Sequence, residues 1–248
     1  MPVERTRHDR VLVVTLRREE KRNAIDEETA LGIDAALNEL EDDDELWVGV
    51  ITGGTQVFSA GTDLRVGSGP GTERGGPYGI IRRQRTKPLI AAVEGFAYGG
   101  GMEIVLACDL VVASSAATFG LPEVRRGLLA LYGGVFRSPR ALPLNVAKEI
   151  VLTGDPIDAA RAERHGLVNV VTEPGEALGG ALALAERVCA SAPVAVRQSL
   201  ELLEACTAPD ERAWSLSTRA MEAVMASEDA REGRTAFLEH RPPRWRGR

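Results

Sequence analysis

Pro88-Leu-Ile-Ala-Ala-Val-Glu-Gly-Phe-Ala-Tyr-Gly-Gly-Gly-Met-Glu-Ile-Val-Leu-Ala-Cys-Asp-Leu-Val-Val-Ala113 carries two apolar runs separated by a glycine triplet and a short helical pattern. Pro88 to Val93 is nearly all apolar and reads as a strand buried on both faces. Gly99, Gly100 and Gly101 break the chain sharply, Met102 to Cys108 read as helix, and Asp109 to Ala113 read as the next strand. Two apolar strands joined through a helix imply parallel pairing. Upstream, Val11 to Leu16 is a β-branched run and Leu46 to Ile51 a second one, closed by a Gly53-Gly54 turn. Between them Asp26 caps a helix whose Ala30, Ile33, Leu37 and Leu40 share one face, and the acidic patch Glu41 to Glu45 ends it. Downstream of Asn145 the pattern is helical, with helices expected over Ala181–Ala190, Pro193–Glu204, Asp210–Met225 and Ala230–Leu238. The tail Arg241 to Arg248 reads as frayed. The class is therefore α/β with a helical end.

The chain has 248 residues, 44% of them hydrophobic and 27% charged, the make-up of an ordinary globular protein. Its net charge of -6 argues against a general nucleic-acid binder, which needs a basic field. The basic run Arg82, Arg83, Arg85 and Lys87 reads as a solvated helix face. Cys108, Cys189 and Cys206 have no CxxC spacing and read as reduced thiols, and His8, His165 and His240 lack zinc-ligand spacing. With no apolar leader and no membrane-length apolar run, the expected place is the cytoplasm, with no membrane partner. The glycine-rich stretch Val66 to Pro77 reads either as a flexible surface loop or as a mobile lid beside a substrate site.

Three segments carry possible chemistry: Phe58-Ser-Ala-Gly-Thr-Asp-Leu64, Gly95-Phe-Ala-Tyr-Gly-Gly-Gly-Met-Glu103 and Phe119-Gly-Leu-Pro-Glu123. A strand that turns through glycines into a helix leaves free N–H groups that favour negative charge, although glycine runs also mark plain tight turns. The triplet does not match the GxGxxG dinucleotide pattern. Glu103 opens a helix that continues Ile104-Val-Leu-Ala-Cys108, so its carboxylate enters an apolar setting and requires a partner or a task. Glu123 follows Phe119, Leu121 and Pro122. Two carboxyls brought close in such surroundings raise each other's pKa and titrate as a unit, which suits acid–base work.

With Glu20-Lys-Arg-Asn-Ala24, Leu152-Thr-Gly154, Ala162 to Asn169 and Gly233-Arg-Thr-Ala-Phe-Leu-Glu239, these segments resemble, in order and spacing, the crotonase (enoyl-CoA hydratase/isomerase) superfamily over almost the whole chain. The resemblance implies a spiral of ββα units over residues 1–192 that holds the CoA and active site. It also implies a helical region over 193–248 for trimerisation, and hence a homotrimer or homohexamer. It implies acyl-CoA thioester substrates, no cofactor beyond the CoA of the substrate, and no metal. By position, the amides of Ala60 and Gly100 become the oxyanion donors, each typically worth ~2.7–4 kcal/mol in a transition state. Glu103 and Glu123 become the catalytic pair around one water, with Glu123 serving C2. The CoA would run past Lys21, Arg22 and Ala24, and along Ser59, Gly61, Thr62, Asp63 and Leu64. Tyr98, Gly99 and Pro122 would line the site, with Leu131 and Tyr132 near the acyl chain.

Retention of both glutamates favours reversible hydration of 2-enoyl-CoA, or the related dehydration, over isomerisation. Departures from the family pattern keep two alternatives open, an isomerase or other enolate-based reaction and a catalytically silent acyl-CoA-binding protein. Ala130-Leu131 and Val135 replace the family's Pro-Gly and Thr, Tyr132 either fills volume or offers a hydroxyl, and His240 stands where a lysine is common. No GxSxG elbow suggests a serine hydrolase.

Overall fold

The computed structural model describes residues 1–63, 65, 69–206 and 211–244. Its main sheet has six strands: β1 (Val3–His8), β2 (Val11–Leu16), β3 (Val48–Thr52), β4 (Leu89–Val93), β6 (Leu110–Ser114) and β9 (Val170–Thr172), in that spatial order. β1 pairs antiparallel with β2, and every later pairing is parallel. A second, three-stranded sheet joins β5 (Phe96–Tyr98), β7 (Thr118–Gly120) and β8 (Ile157–Asp158). The parallel bridges Ser59↔Ala97 and Ile25↔Thr62 continue that sheet into the Phe58–Asp63 segment.

The expected strands and capped helix are present. β4 is buried on both faces: Leu89, Ala91 and Val93 join one apolar cluster, while Ile90 and Ala92 join the other. In α1 (Glu27–Asp42), Asp26 accepts from Thr29 N at 2.9 Å, and Ala30, Ile33, Leu37 and Leu40 face the first cluster. α6 (Ala177–Cys189) covers the opposite face of the sheet through Ala177, Ala181 and Ala185, whose small side chains let helix and sheet approach closely. The remaining helices are α2 (Gly100–Val105), α3 (Gly134–Ala141), α4 (Leu144–Thr153), α5 (Ala159–Arg164), α7 (Pro193–Cys206), α8 (Glu211–Ala226) and α9 (Glu228–Leu238). α2 begins earlier and ends earlier than the apolar pattern implies. Among the described residues no single helix is long and apolar enough to cross a membrane.

Two expectations are corrected. The basic run is not a solvated helix face. It lies in the irregular segment before β4, and three of its four cations are turned inward. Lys87 Nζ donates to Leu40 O at 2.7 Å and Asp43 O at 2.8 Å, satisfying carbonyls at the C-terminal end of α1. Arg85 makes a two-pronged ion pair with Asp109. Arg83 pairs with Asp34 and donates to Asn38 Oδ1 at 2.8 Å. Arg82 instead lies over the Trp214 ring, 4.2 Å from its centroid. Nor is the start of the tail frayed: Arg241 pairs with Glu232 and Glu239, and Arg244 N donates to Glu232. Residues 245–248, like Asp210 and Val66 to Ser68, lie outside the described residues.

Candidate active site

The first wall of the site is the Phe58–Asp63 segment, fixed by a buried asparagine. Asn23 donates from Nδ2 to the carbonyls of Gly53 and Val57, both at 2.9 Å, and its own carbonyl accepts from Ser59 Oγ at 2.7 Å. Ser59 Oγ in turn accepts from Gly61 N at 3.1 Å. Ser59 therefore shapes the turn from within. The Asp63 carboxylate is engaged by Arg18, which also holds Asp26, so Asp63 also acts structurally, locking the Ile25–Thr62 bridge. Lys21 and Arg22 have exposed side chains at the outer rim, with Ala24 beside them half-buried. Leu64 lies outside the described residues.

The second wall is the glycine triplet. Gly61 has φ +88°, and a Cβ on it would meet Gly100 N at 2.6 Å, so the two turns touch backbone to backbone. Here the structure corrects the first oxyanion donor. The Ala60 amide already donates to Arg22 O at 3.0 Å. Along the parallel bridge, Ile25 N donates to Gly61 O and Asp63 N to Ile25 O, so the amide of Thr62 points away from that pairing. Among the described residues no acceptor takes the N–H of Thr62 or that of Gly100, the first residue of α2.

Both carboxylates close on this point. Glu103, one turn into α2, is only 1% exposed, and its Oε1 accepts from Tyr132 N at 2.6 Å and Gly134 N at 3.1 Å. The 130–135 stretch thus orients Glu103 through backbone amides, with Leu131 and the Tyr132 ring half-buried beside it. Glu123 lies in the 3-10 turn Pro122–Arg126. A Cβ on Gly99 would meet its Oε1 at 3.1 Å, and its Oε2 is buried with no hydrogen-bond partner. Burial, then the neighbouring Glu123 charge, holds the Glu103 pKa well above the usual carboxylate range, against the pull of the Gly134 and Tyr132 amides. Burial likewise raises Glu123. Such a pair retains a proton into the neutral range, leaving one carboxylate to accept a proton and one carboxyl to donate.

Tyr98 and Pro122 face elsewhere. Tyr98 OH pairs with Thr118 Oγ1 at 2.9 Å, and Tyr98 and Pro122 line a cavity of about 430 Å³ with Arg126, Phe237 and Arg241 beneath α9. Neither Glu103 nor Glu123 lines that cavity. One buried residue of the site carries no motif. Tyr78, 1% exposed, sets its hydroxyl 2.6 Å from Thr62 Oγ1 and its ring edge-to-face with Tyr132 at 5.2 Å. A lone tyrosine after a glycine-rich run gives no sequence signal of this placement.

The family model for enoyl-CoA hydratase/isomerase matches residues 6–248. A carnitinyl-CoA dehydratase of Salmonella agona is 40% identical over 98% of this chain and 97% of its own length. The solved carnitinyl-CoA hydratase from Mycobacterium avium superposes with a TM-score of 0.95 at 41% identity, covering 100% of this chain and 99% of its own. An enoyl-CoA hydratase from Mycobacterium tuberculosis H37Rv, also 41% identical over 100% of this chain and 99% of its own, gives 0.80. With a family model matched from the first strand to the end of the chain and relatives this similar over their full lengths, the protein belongs to the enoyl-CoA hydratase/isomerase family.

Proposed function

We propose that the protein is a CoA-dependent hydro-lyase that adds water reversibly to a 2-enoyl-CoA, giving the 3-hydroxyacyl-CoA. The observation that carries this reading is the convergence of two uncommitted backbone amides, Thr62 N and Gly100 N, with the inward carboxylates of Glu103 and Glu123. The thioester oxygen would lie on the two amides, which are fixed before charge develops on it. The pair shares one proton, and when that proton is on Glu123 the Glu103 carboxylate, held by two N–H donors, takes a proton from water as its oxygen bonds C3. The electron pair of the double bond moves toward the thioester, forming the enolate, and Glu123 returns a proton to C2. Dehydration runs the same steps backwards. The relatives named for carnitinyl-CoA make a C4-substituted, charged acyl group a candidate beside plain enoyl chains.

The reading includes assembly through residues 193–248, as a trimer or pair of trimers. Val194, Leu202 and Leu203 of α7 are each about two-thirds exposed, which supports a covered face in the oligomer. Loss of the enoyl-thioester absorbance on mixing crotonyl-CoA or crotonobetainyl-CoA with purified protein tests the reaction. An unchanged spectrum with both, alongside measured binding, would refute hydration.

A further inference from the structure

The Thr62 and Tyr78 hydroxyls are 2.6 Å apart and together carry two protons. One proton lies between the oxygens. Among the described residues no acceptor takes the other, and neither carboxylate accepts from Tyr78. A buried hydroxyl proton with no acceptor is costly unless a ligand uses it. Its location is specific. A Cβ on Gly100 would meet the Tyr78 hydroxyl oxygen at 2.5 Å and its ring carbons at 2.7 and 2.9 Å, so the phenol lies directly on Gly100. Thr62 supplies the other free amide. The spare proton is therefore beside the two N–H groups that face the thioester oxygen.

Backbone strain points the same way. Tyr78 has φ +57°, a left-handed conformation that is unfavourable for a bulky aromatic residue. It is held there by Tyr78 N donating to Pro70 O at 2.7 Å and by packing of Gly79, where a Cβ would meet Ala30 O at 2.4 Å. Strain that the surrounding structure fixes in place is a mark of a functional position.

We propose that Thr62 and Tyr78 act as one unit that presents a hydroxyl proton, as a third donor, to the thioester oxygen held by the Thr62 and Gly100 amides. This rests on the hydro-lyase reading for the place of the oxygen, but not on which acyl group is used. The proton is shared in a hydrogen bond that shortens as the enolate forms and returns when the product carbonyl reforms. No net transfer occurs.

The test uses a push–pull thioester, 4-(dimethylamino)cinnamoyl-CoA, whose absorption moves to the red as its carbonyl is polarised. The wild type, Tyr78→Phe and Thr62→Val are compared at saturating protein. Both variants should bind the probe and show a smaller red shift. With crotonyl-CoA, kcat should fall on the order of 10²-fold, with KM changed by less than about threefold, as for an interaction made in the transition state. The double variant, which keeps no hydroxyl proton at this point, should show a red shift no larger than that of either single one. A full wild-type red shift in both single variants overturns the proposal, as does a wild type that binds the probe with no shift. If circular dichroism shows Tyr78→Phe unfolded, Thr62→Val alone decides by the same criterion. A wild type that polarises the probe yet hydrates no enoyl-CoA would refute the hydration reading while leaving the third donor to be judged on the shifts.

Discussion

Replacing Glu103 by glutamine should make the protein less active and more stable at once. The amide oxygen of glutamine can keep accepting from Tyr132 N and Gly134 N, so the site geometry is retained. What is removed is a carboxylate whose folded-state pKa burial and Glu123 push upward. The sign follows from linkage. A carboxyl raised on folding binds its proton more tightly in the native state, so its ionisation destabilises that state as pH climbs through the unfolded value. The penalty grows until the folded pKa is passed and is then constant. One pKa unit is worth about 1.4 kcal/mol, so a carboxyl pushed from its ordinary value up to about 8 costs the native state roughly 4 kcal/mol at pH 8. At about 2–4 °C per kcal/mol for a domain of this size, Glu103→Gln should melt roughly 8–16 °C above wild type at pH 8. The gap should close near pH 5, where the wild-type carboxyl is protonated. Hydration of crotonyl-CoA should fall on the order of 10²- to 10⁴-fold, the usual worth of a general base. Thermal melts followed by circular dichroism at both pH values, with initial rates, check both halves. A Tm difference that does not change with pH, or a variant retaining above about a tenth of the wild-type rate, would be incompatible with a buried Glu103 that acts as the base.

Three further outcomes follow from the geometry. The pH profile of kcat/KM should be bell-shaped about neutrality, since the Glu103–Glu123 pair must hold one proton: activity falls in acid as both protonate and in alkali as both ionise, and Glu123→Gln should abolish the alkaline limb of any residual activity. Gly61→Ala should cost on the order of 10²-fold in kcat even where the variant folds, because a Cβ at φ +88° would press on Gly100 N and shift an amide of the site; steady-state kinetics on the folded fraction measures this. Lys87→Met should lower stability by about 1–3 kcal/mol by orphaning the Leu40 and Asp43 carbonyls, with kcat per folded molecule unchanged, as urea melts and active-site-normalised rates would show.

The strands and helices that bury long apolar runs were legible in the sequence because their periodicity is local. β1 was not, since only Val3 of it is buried and its other five residues face solvent. The second sheet was also hidden, as its members run two or three residues, too short for any period to register. The basic run was misread for a different reason. Charge spacing along the chain says nothing of acceptors on α1 or of Asp109, far away in sequence. Both carboxylates were legible through the resemblance and through their apolar neighbours, and the structure turns them inward. That the Ala60 amide is engaged and the Thr62 amide is not was hidden, because only pairing across the Ile25–Thr62 bridge reveals which N–H is left without an acceptor. Tyr78 reaches the site through a turn whose shape rests on tertiary contacts with α1, which local sequence does not encode.

The contact of Gly61 with Gly100 N bears on how such a protein can diversify. The gap in which the proposed reaction places the thioester oxygen is bounded by main chain on both sides, so its width is a property of peptide geometry and of the two loops' register. A Cβ added at Gly61 or Gly100 would change it, and replacement of more distant side chains has little purchase on it. In the proposed reaction, variation in acyl preference would then accumulate at the margins, in the Pro70–Pro77 turn that precedes Tyr78 and in the 130–135 stretch that cups Glu103. In the proposed reaction, chemistry and choice of substrate are in this way carried by separate parts of the chain, one fixed by backbone packing and the other by side chains that can be exchanged.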